Sequence, residues 1–257
     1  YPIISFLVRI LKYMFGFKKN KIQNDNGYFP ITVDMHSHIL PGIDDGSPDI
    51  ATSLELVKGL MQLGLKKSIA TPHVISDLYH NTPESINNAL QQLREALHQN
   101  NIAYEVNAAA EYLMDDLFLE LLAKKNLLTL QDNLILTEFS FASMPRQPED
   151  LSFKIIMEGY MPILAHPERY SYYHDQPKMY DRLKELGFVL QVNLLSLTGY
   201  YGKGPFKAAK YILENGLAGF VGTDLHHHNH LSAFLDARNH NVFEPFLSHK
   251  AWNEVLL

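Results

Sequence analysis

The sequence predicts an α/β fold in which a parallel sheet closes, or nearly closes, into a barrel surrounded by helices. Three observations predict it. From residue 31 onward, short β-type runs alternate with segments of helical period, the pattern of strands joined by helical crossovers. Such runs occur seven times without a compositional break, and right-handed crossovers would wind them into one sheet. Almost every run ends in a histidine or an acid. Strand number alone does not separate an open sheet from a closed one. Parallel strands in a barrel deliver their ends to one rim, whereas an open sheet would spread them along an edge.

The strands expected, in order, are “ITVDMH” (31–36), “KSIATPH” (67–73), “YEVNAAAE” (104–111), “NLILTEFS” (133–140), “MPILAH” (161–166), “FVLQVN” (188–193) and “AGFVGTD” (218–224). Helix 50–63 follows the first strand, because Leu54, Val57, Leu60, Met61 and Leu63 form an apolar stripe and Gly64 supplies a stop. Thr82 caps the next helix, which Pro83 and Glu84 open. Further helical segments lie near 114–125, 148–158, 177–186 and 204–215, and another near 230–239.

A net charge of −6 disfavours nucleic acid as the main partner. The absence of cysteine excludes a thiol nucleophile, a thiolate metal site and disulfides, and fits a reducing, cytoplasmic setting. The chain opens on Tyr1, and its first stretch, Tyr1 to Phe17, is apolar but broken by Arg9 and Lys12. That is short for a membrane span, which needs ~20 residues. An amphipathic helix packing on the domain or a partner is expected there. The alternatives are membrane-surface attachment through Lys12, Lys18, Lys19 and Lys21 and a non-native leader before Met14. Residues 1–30 are thus an extension and linker, and 31–257 one domain.

The strand ends carry the chemistry. His36 and His38 close the first, His73 the second, Glu111 the third, Glu138 the fourth, His166 the fifth, and Asp224 and His226 the seventh. His36/His38 and Asp224/His226 are i, i+2 pairs, so each pair faces one side of an extended chain. Imidazole with carboxylate suits Zn²⁺, Mn²⁺ or Fe²⁺. One His-x-His is weak evidence, but two paired motifs with further strand-end ligands are not expected by chance. Asp45, in the turn Asp44-Asp45-Gly46, is expected as an additional ligand, against the alternative of a simple bend. Glu138 stays open between ligand, acceptor for a ligating imidazole, and partner of an arginine. Asp34 reads as support behind His36. His227, His228 and His230 read as rim groups.

“DMHSH”, “PGIDDG”, “ATPH”, “AAAE”, “AHPERY” and “GTDLHH” resemble the motifs of the PHP (polymerase and histidinol phosphatase) superfamily. They most resemble its CpsB/YwqE branch of bacterial tyrosine phosphatases, over roughly residues 31 to 240. The resemblance implies a distorted (β/α)₇ TIM-like barrel. It implies two or three divalent metals, often manganese, with Fe²⁺, Zn²⁺ or Co²⁺ as alternatives. It implies hydrolysis of phosphotyrosine on a bacterial tyrosine autokinase of capsule or exopolysaccharide synthesis, a partner that would also account for any membrane association. Carried over, His36, His38 and Asp224 bind a first metal, Glu111 bridges, His73 and His166 hold a second, and Asp45 with His226 a third. Arg169 matches the family arginine that contacts phosphate. A further arginine common after the last histidine motif is missing, with none before Arg238.

The expected chemistry is attack of metal-activated water on phosphorus, with Arg169 and the metals neutralising the phosphoryl oxygens. The structural alternative for Arg169 is a salt bridge with Glu168 or another rim acid. Tyr170, Tyr172, Tyr173, Tyr200 and Tyr201 fall on two rim loops. Tyr172 and Tyr200 are the expected grips for a phosphotyrosine ring, against ordinary loop packing. The competing functions are a histidinol-phosphate or other small phosphomonoester phosphatase, a metal-dependent nuclease, and a non-catalytic metal-bound module docking on a kinase.

Overall fold

The computed structural model describes residues 27–257; the expected N-terminal amphipathic helix lies outside the described residues. The first expected strand is realised only as β1 (Val33–Asp34), and it leads into helix α1 (Ile50–Leu63). Asp49 caps α1 by accepting from the Thr52 N–H, and Gly64 ends it at φ 97°. The second strand is broken into β2 (Lys67–Ala70) and β3 (His73–Val74), because Pro72 between them has no N–H to pair. Helix α2 (Pro83–Gln99) starts on a reciprocal cap between Thr82 and Ser85, with Pro83 in its first turn. The third strand is split likewise into β4 (Glu105–Ala108) and β5 (Glu111–Leu113).

The remaining order is α3 (Asp116–Ala123), β6 (Leu134–Glu138), α4 (Pro148–Met157), β7 (Met161–Ala165), α5 (Lys178–Glu185), β8 (Val189–Asn193), α6 (Lys203–Glu214), β9 (Ala218–Gly222), α7 (His228–Asn239) and α8 (Glu244–Leu247). Short 3-10 turns at Pro167–Arg169, Ser171–Tyr173 and Leu194–Thr198 follow β7 and β8. No described helix is long and apolar enough to cross a membrane.

All strand pairings are parallel, in the orders β1-β2-β4 and β3-β5-β6-β7-β8-β9. The breaks do not part the two sheets: Ala109 N–H donates to Ala70 O at 2.8 Å, and Glu111 N–H to Pro72 O at 3.0 Å. Past β9, Asp224 N–H donates to His36 O at 2.7 Å and His38 N–H to Leu225 O at 2.9 Å. The last strand's continuation therefore pairs with that of the first.

Side-chain alternation sorts the apolar residues into two cores, as the two-residue period of strands requires. Leu134, Leu136, Met161, Ile163 and Ala165 join Val33, Ile69 and Phe220 in a small core. Their strand neighbours Ile135 and Leu164 face the larger core shared with the helices.

The C-terminal segment closes the far end. The Asn253 side chain donates to Val33 O (2.9 Å) and Val221 O (2.7 Å) and accepts from Val221 N–H (3.3 Å), so it stitches β1 to β9. Asn253 itself sits at φ 61°, a conformation Asn tolerates better than Ala. Asn253→Ala leaves three buried backbone groups without their partner and is expected to destabilise the fold by about 3 kcal/mol. A urea midpoint measures this; a loss below about 1 kcal/mol would show that water or relaxation replaces the stitch.

Candidate metal centre

The strand ends deliver their polar side chains to one place, and Glu111 is at its middle. Its carboxylate is fully buried. Oε2 lies 3.1 Å from His36 Nε2, 3.4 Å from His38 Nε2 and 3.2 Å from His73 Nδ1. Oε1 lies 2.9 Å from His166 Nε2. Asp224 Oδ1 faces the same two imidazoles, 3.3 Å from His36 Nε2 and 3.4 Å from His38 Nε2. Glu138 approaches from β6, with Oε1 3.2 Å from His73 Nδ1 and Oε2 4.0 Å from His166 Nε2. Asp45 Oδ1 stands 3.6 Å from both His73 Nε2 and His226 Nε2. All eight residues expected as ligands, and Glu138, are thus brought together.

The grouping differs from the one the resemblance implies. His73 does not share a carboxylate pair with His166 alone: its Nε2 faces Asp45 and His226, and its Nδ1 faces Glu111 and Glu138. Four sets have donor atoms close enough to share an ion: His36, His38 and Asp224; His36, Glu111 and His166; His73, Glu111 and Glu138; and His38, Asp45, His73 and His226.

Backbone geometry aims these groups. His166 and Asp224 both sit in the left-handed region, at φ 34° and 51°. Such strain concentrates where a side chain must be turned toward a site. Gly46 is required by close approach, since a Cβ there would lie 2.1 Å from His38 O. Gly222 leaves room for the His36–Gln191 pair: a Cβ would lie 2.9 Å from each.

The imidazoles are oriented from behind by residues that sequence reading did not single out. His36 Nδ1 lies 2.8 Å from Gln191 Oε1, Gln191 Nε2 donates to Asn193 Oδ1 at 3.0 Å, and Asn193 Nδ2 donates to Asp224 Oδ2 at 2.7 Å. A carboxylate can only accept, so this chain fixes both amide orientations. It makes His36 Nδ1 the protonated nitrogen and leaves the Nε2 lone pair for the site. His38 Nδ1 lies 2.7 Å from Asp44 Oδ2, with the same consequence. Asp44 also accepts from Gly46 and His73 N–H groups, so of the two adjacent aspartates one is support and the other faces His73 and His226. Gln191 enters where the β8–β9 register shifts between Leu190 and Gln191. Asp34 does not touch an imidazole: it accepts from Thr223 N–H (3.0 Å), Thr223 Oγ1 and His36 N–H (3.4 Å) and ties the β1 end to the β9 end.

The electrostatics call for a cation. Burial opposes charge on Glu111 and Asp224, yet the surrounding imidazoles hold both carboxyls well below their usual range. Burial disfavours the charged form of His36 as well, and Glu111 and Asp224 outweigh it, pushing the imidazole up to about 9. The His226 imidazole beside Asp45 holds that carboxyl down to about 2. His36 and His38 turn Nε2 atoms only 3.3 Å apart toward these acids. Asp224 Oδ1 and His73 Nδ1 are buried without a hydrogen-bond partner. Nitrogen and carboxylate donors converging with unsatisfied atoms fit divalent transition metals, and the donor set contains no sulfur.

Arg169 stands at the edge. Its Nη1 donates to Asp224 Oδ2 at 2.6 Å, and its Cζ lies 4.4 Å from the Tyr201 ring centroid and 5.1 Å from that of Phe141. Glu168 is not its salt-bridge partner. That carboxylate is buried, accepts from Asn193 N–H (2.9 Å) and Ser196 Oγ (2.7 Å), and is pushed by burial up to about 7. The Tyr172 hydroxyl donates to Ser140 O at 3.0 Å, and its ring stacks on Tyr170. Tyr200 is 43% exposed and meets Tyr201 and His230 edge-on. Arg238 turns away, donating to Gln62 O and Asn239.

Known proteins share this arrangement of sequence and fold. The model of a capsular polysaccharide synthesis family, CpsB/CapC, matches residues 32–242. Tyrosine-protein phosphatase YwqE of Bacillus subtilis is 35% identical over 195 residues, covering 76% of this chain and 77% of that protein. Tyrosine-protein phosphatase CpsB of Streptococcus pneumoniae is 30% identical over 202 residues, covering 76% and 82%. A solved structure from work on B. subtilis YwqE and S. pneumoniae CpsB, described as unique metal-dependent tyrosine phosphatases, superposes with a TM-score of 0.77 at 33% identity, over 85% of this chain and 89% of that one. A lactonase from Listeria monocytogenes, at 10% identity and a TM-score of 0.51, shares the fold alone. The chain therefore belongs to the CpsB/CapC family of capsular polysaccharide synthesis.

Proposed function

We propose that residues 31–257 form a metal-dependent phosphotyrosine phosphatase domain built as a distorted (β/α)₇ barrel. The barrel reading is supported by the parallel bridge between Ser37 and Leu225 and by the small core that β1, β6, β7 and β9 share. The observation that carries the function is Arg169 against Asp224 at the edge of a buried carboxylate–imidazole cluster. A fixed guanidinium beside a cation site is suited to a phosphoryl group. The relatives named as tyrosine-protein phosphatases support the same reading.

Two or three divalent ions, with Mn²⁺ the first choice and Fe²⁺, Zn²⁺ or Co²⁺ as substitutes, would be held by three sets of residues. His36, His38 and Asp224 would hold one, and Glu111 would hold a second with His36 and His166 or with His73 and Glu138. Asp45, His73 and His226 form the third. When bound, such ions lower the pKa of water and neutralise phosphoryl charge. The chain's own residues do the rest. Gln191 and Asp44 accept from the Nδ1 side of His36 and His38, so Nε2 is the atom each imidazole turns to the site. Arg169 offers its remaining N–H groups to the phosphoryl oxygens and orients the ester. A tyrosinate leaving group, with a conjugate-acid pKa of ~10, needs little protonation as it departs. The physiological substrate is proposed to be the phosphotyrosyl tail of a tyrosine autokinase of capsule or exopolysaccharide synthesis, with which the chain would meet the membrane.

The test is phosphate release from a phosphotyrosyl peptide by the Mn²⁺-loaded chain. Activity is expected to vanish with a chelator, return with Mn²⁺, and resist thiol reagents. Undiminished turnover by metal-free protein, or none by the loaded protein, would overturn the reading.

A further inference from the structure

Phe141 follows β6 on a rim loop, and although it is a large apolar residue it is 47% exposed. Its ring stacks on His166, with centroids 5.5 Å apart and planes at 26°. The Arg169 guanidinium lies against this ring and also against that of Tyr201. The ring also meets Tyr170 at 5.3 Å, so part of Phe141 is committed to a candidate ligand, the candidate phosphate contact and a buried tyrosine, and nearly half of it stays open.

The loop is held in place up to this residue. Phe139 N–H donates to the Tyr170 hydroxyl at 2.9 Å, and that hydroxyl donates to Ala165 O at 3.1 Å. The Tyr172 hydroxyl donates to Ser140 O, and the Tyr170 and Tyr172 rings stack with planes at 3°. Ala142 N–H donates to Ser140 Oγ at 3.1 Å. The turns that carry these tyrosines adjoin Arg169, so Phe141 and Arg169 are positioned as one unit. A ring fixed in advance loses little freedom when it takes a ligand. Tyr172, the grip expected from sequence, is packed on Tyr170 and Tyr173 and is less exposed than Phe141.

We propose that Phe141 is the specificity-determining residue that selects aromatic phosphate esters, taking the substrate's aryl ring against its exposed side while Arg169 takes the phosphoryl group. This rests on the phosphatase reading. Stacking and ring burial beside the anion would favour an aryl over an alkyl ester.

Benzylphosphonate and methylphosphonate present the same anion with and without a ring, and neither has a P–O ester bond to hydrolyse. Titrated calorimetrically into the full Mn²⁺-loaded chain, the benzyl compound is expected to bind about ten-fold tighter. Phe141→Ala should remove most of that ratio, Phe141→Tyr should keep it, and Phe141→Leu, which preserves apolar volume without a π face, should lower it about three-fold. No aryl preference in the wild type, or the same ratio in the Ala and Leu variants, overturns the proposal. Binding is read without turnover. A protein that prefers the ring through Phe141 yet releases no phosphate from phosphotyrosine sinks the phosphatase reading alone. An active phosphatase with an unchanged ratio sinks this inference alone.

Discussion

Glu111→Gln is expected to lower phosphate release from a phosphotyrosyl peptide on the order of a thousand-fold while leaving the fold intact. No other carboxylate among the described residues touches as many of the candidate ligands. One oxygen lies within 3.4 Å of His36, His38 and His73, and the other is 2.9 Å from His166. Glutamine keeps the volume, so packing survives, but it removes the charge that two adjoining cation sites would share. It also replaces one of the two anionic oxygens that meet the imidazole nitrogens with an NH₂ group, which cannot ligate a cation. Bound manganese per chain should fall with activity. A variant retaining more than about a tenth of wild-type activity with full metal content would show that Glu111 is not shared between ions. Proton competition sets the sign of the pH dependence. His36 is pushed up to about 9, burial opposing and Glu111 and Asp224 prevailing. Its Nε2 must lose a proton before it can hold an ion. Apparent metal affinity therefore rises as pH is raised toward 9 and falls as it is lowered. Glu111→Gln removes one of the charges that favour the proton, so its profile should shift to lower pH.

The site was legible in the sequence where ligands come as strand-end residues in repeating positions. His36 with His38 and Asp224 with His226 are recognisable from their spacing, and His73, Glu111, Glu138 and His166 from their place at the end of a β-type run. Pairing among them was not legible, because it depends on how each ring is rotated: His73 presents one nitrogen to Asp45 and the other to Glu111 and Glu138. The orienting residues were hidden for a different reason. Gln191 and Asn193 are neutral amides inside an apolar strand; they bond each other, but the groups they orient, His36 and Asp224, are distant in sequence. Asp44 and Asp45 are adjacent acids in one turn, and only the fold decides which meets His38. The strand break at Pro72 was readable from the proline itself. The break at Ala109 and Ala110 carries no such mark. Phe141 lay in a loop without periodicity, and what makes it notable is exposure beside a buried cluster, which composition does not reveal.

Arg169→Ala is expected to cost about 10²–10³ in kcat/KM on a phosphotyrosyl peptide, and Arg169→Lys most of that loss. The guanidinium is held on three sides: Asp224 Oδ2 at 2.6 Å, the Tyr201 ring at 4.4 Å and the Phe141 ring at 5.1 Å. Burial disfavours its charge, and Asp224 more than restores it. An arginine so fixed meets a phosphoryl group without reorganising, and its planar fork can bond two oxygens at once. Lysine can neither stack against the rings nor donate as a fork, so preserving the charge alone should not rescue the rate. No other arginine pairs with a candidate ligand among the described residues. Arg182 faces Glu185, and Arg238 is engaged with the Gln62 carbonyl. With no second guanidinium to share the load, the loss should fall on kcat as well as KM, since charge on the phosphoryl oxygens must be met in the transition state. The competing reading is that Arg169 merely neutralises Asp224 and keeps it in place. Metal content separates the two. If Arg169→Ala loses manganese in proportion to activity, and added Mn²⁺ restores the rate, the residue acts through Asp224. If the variant stays fully loaded and slow, the guanidinium acts on the substrate.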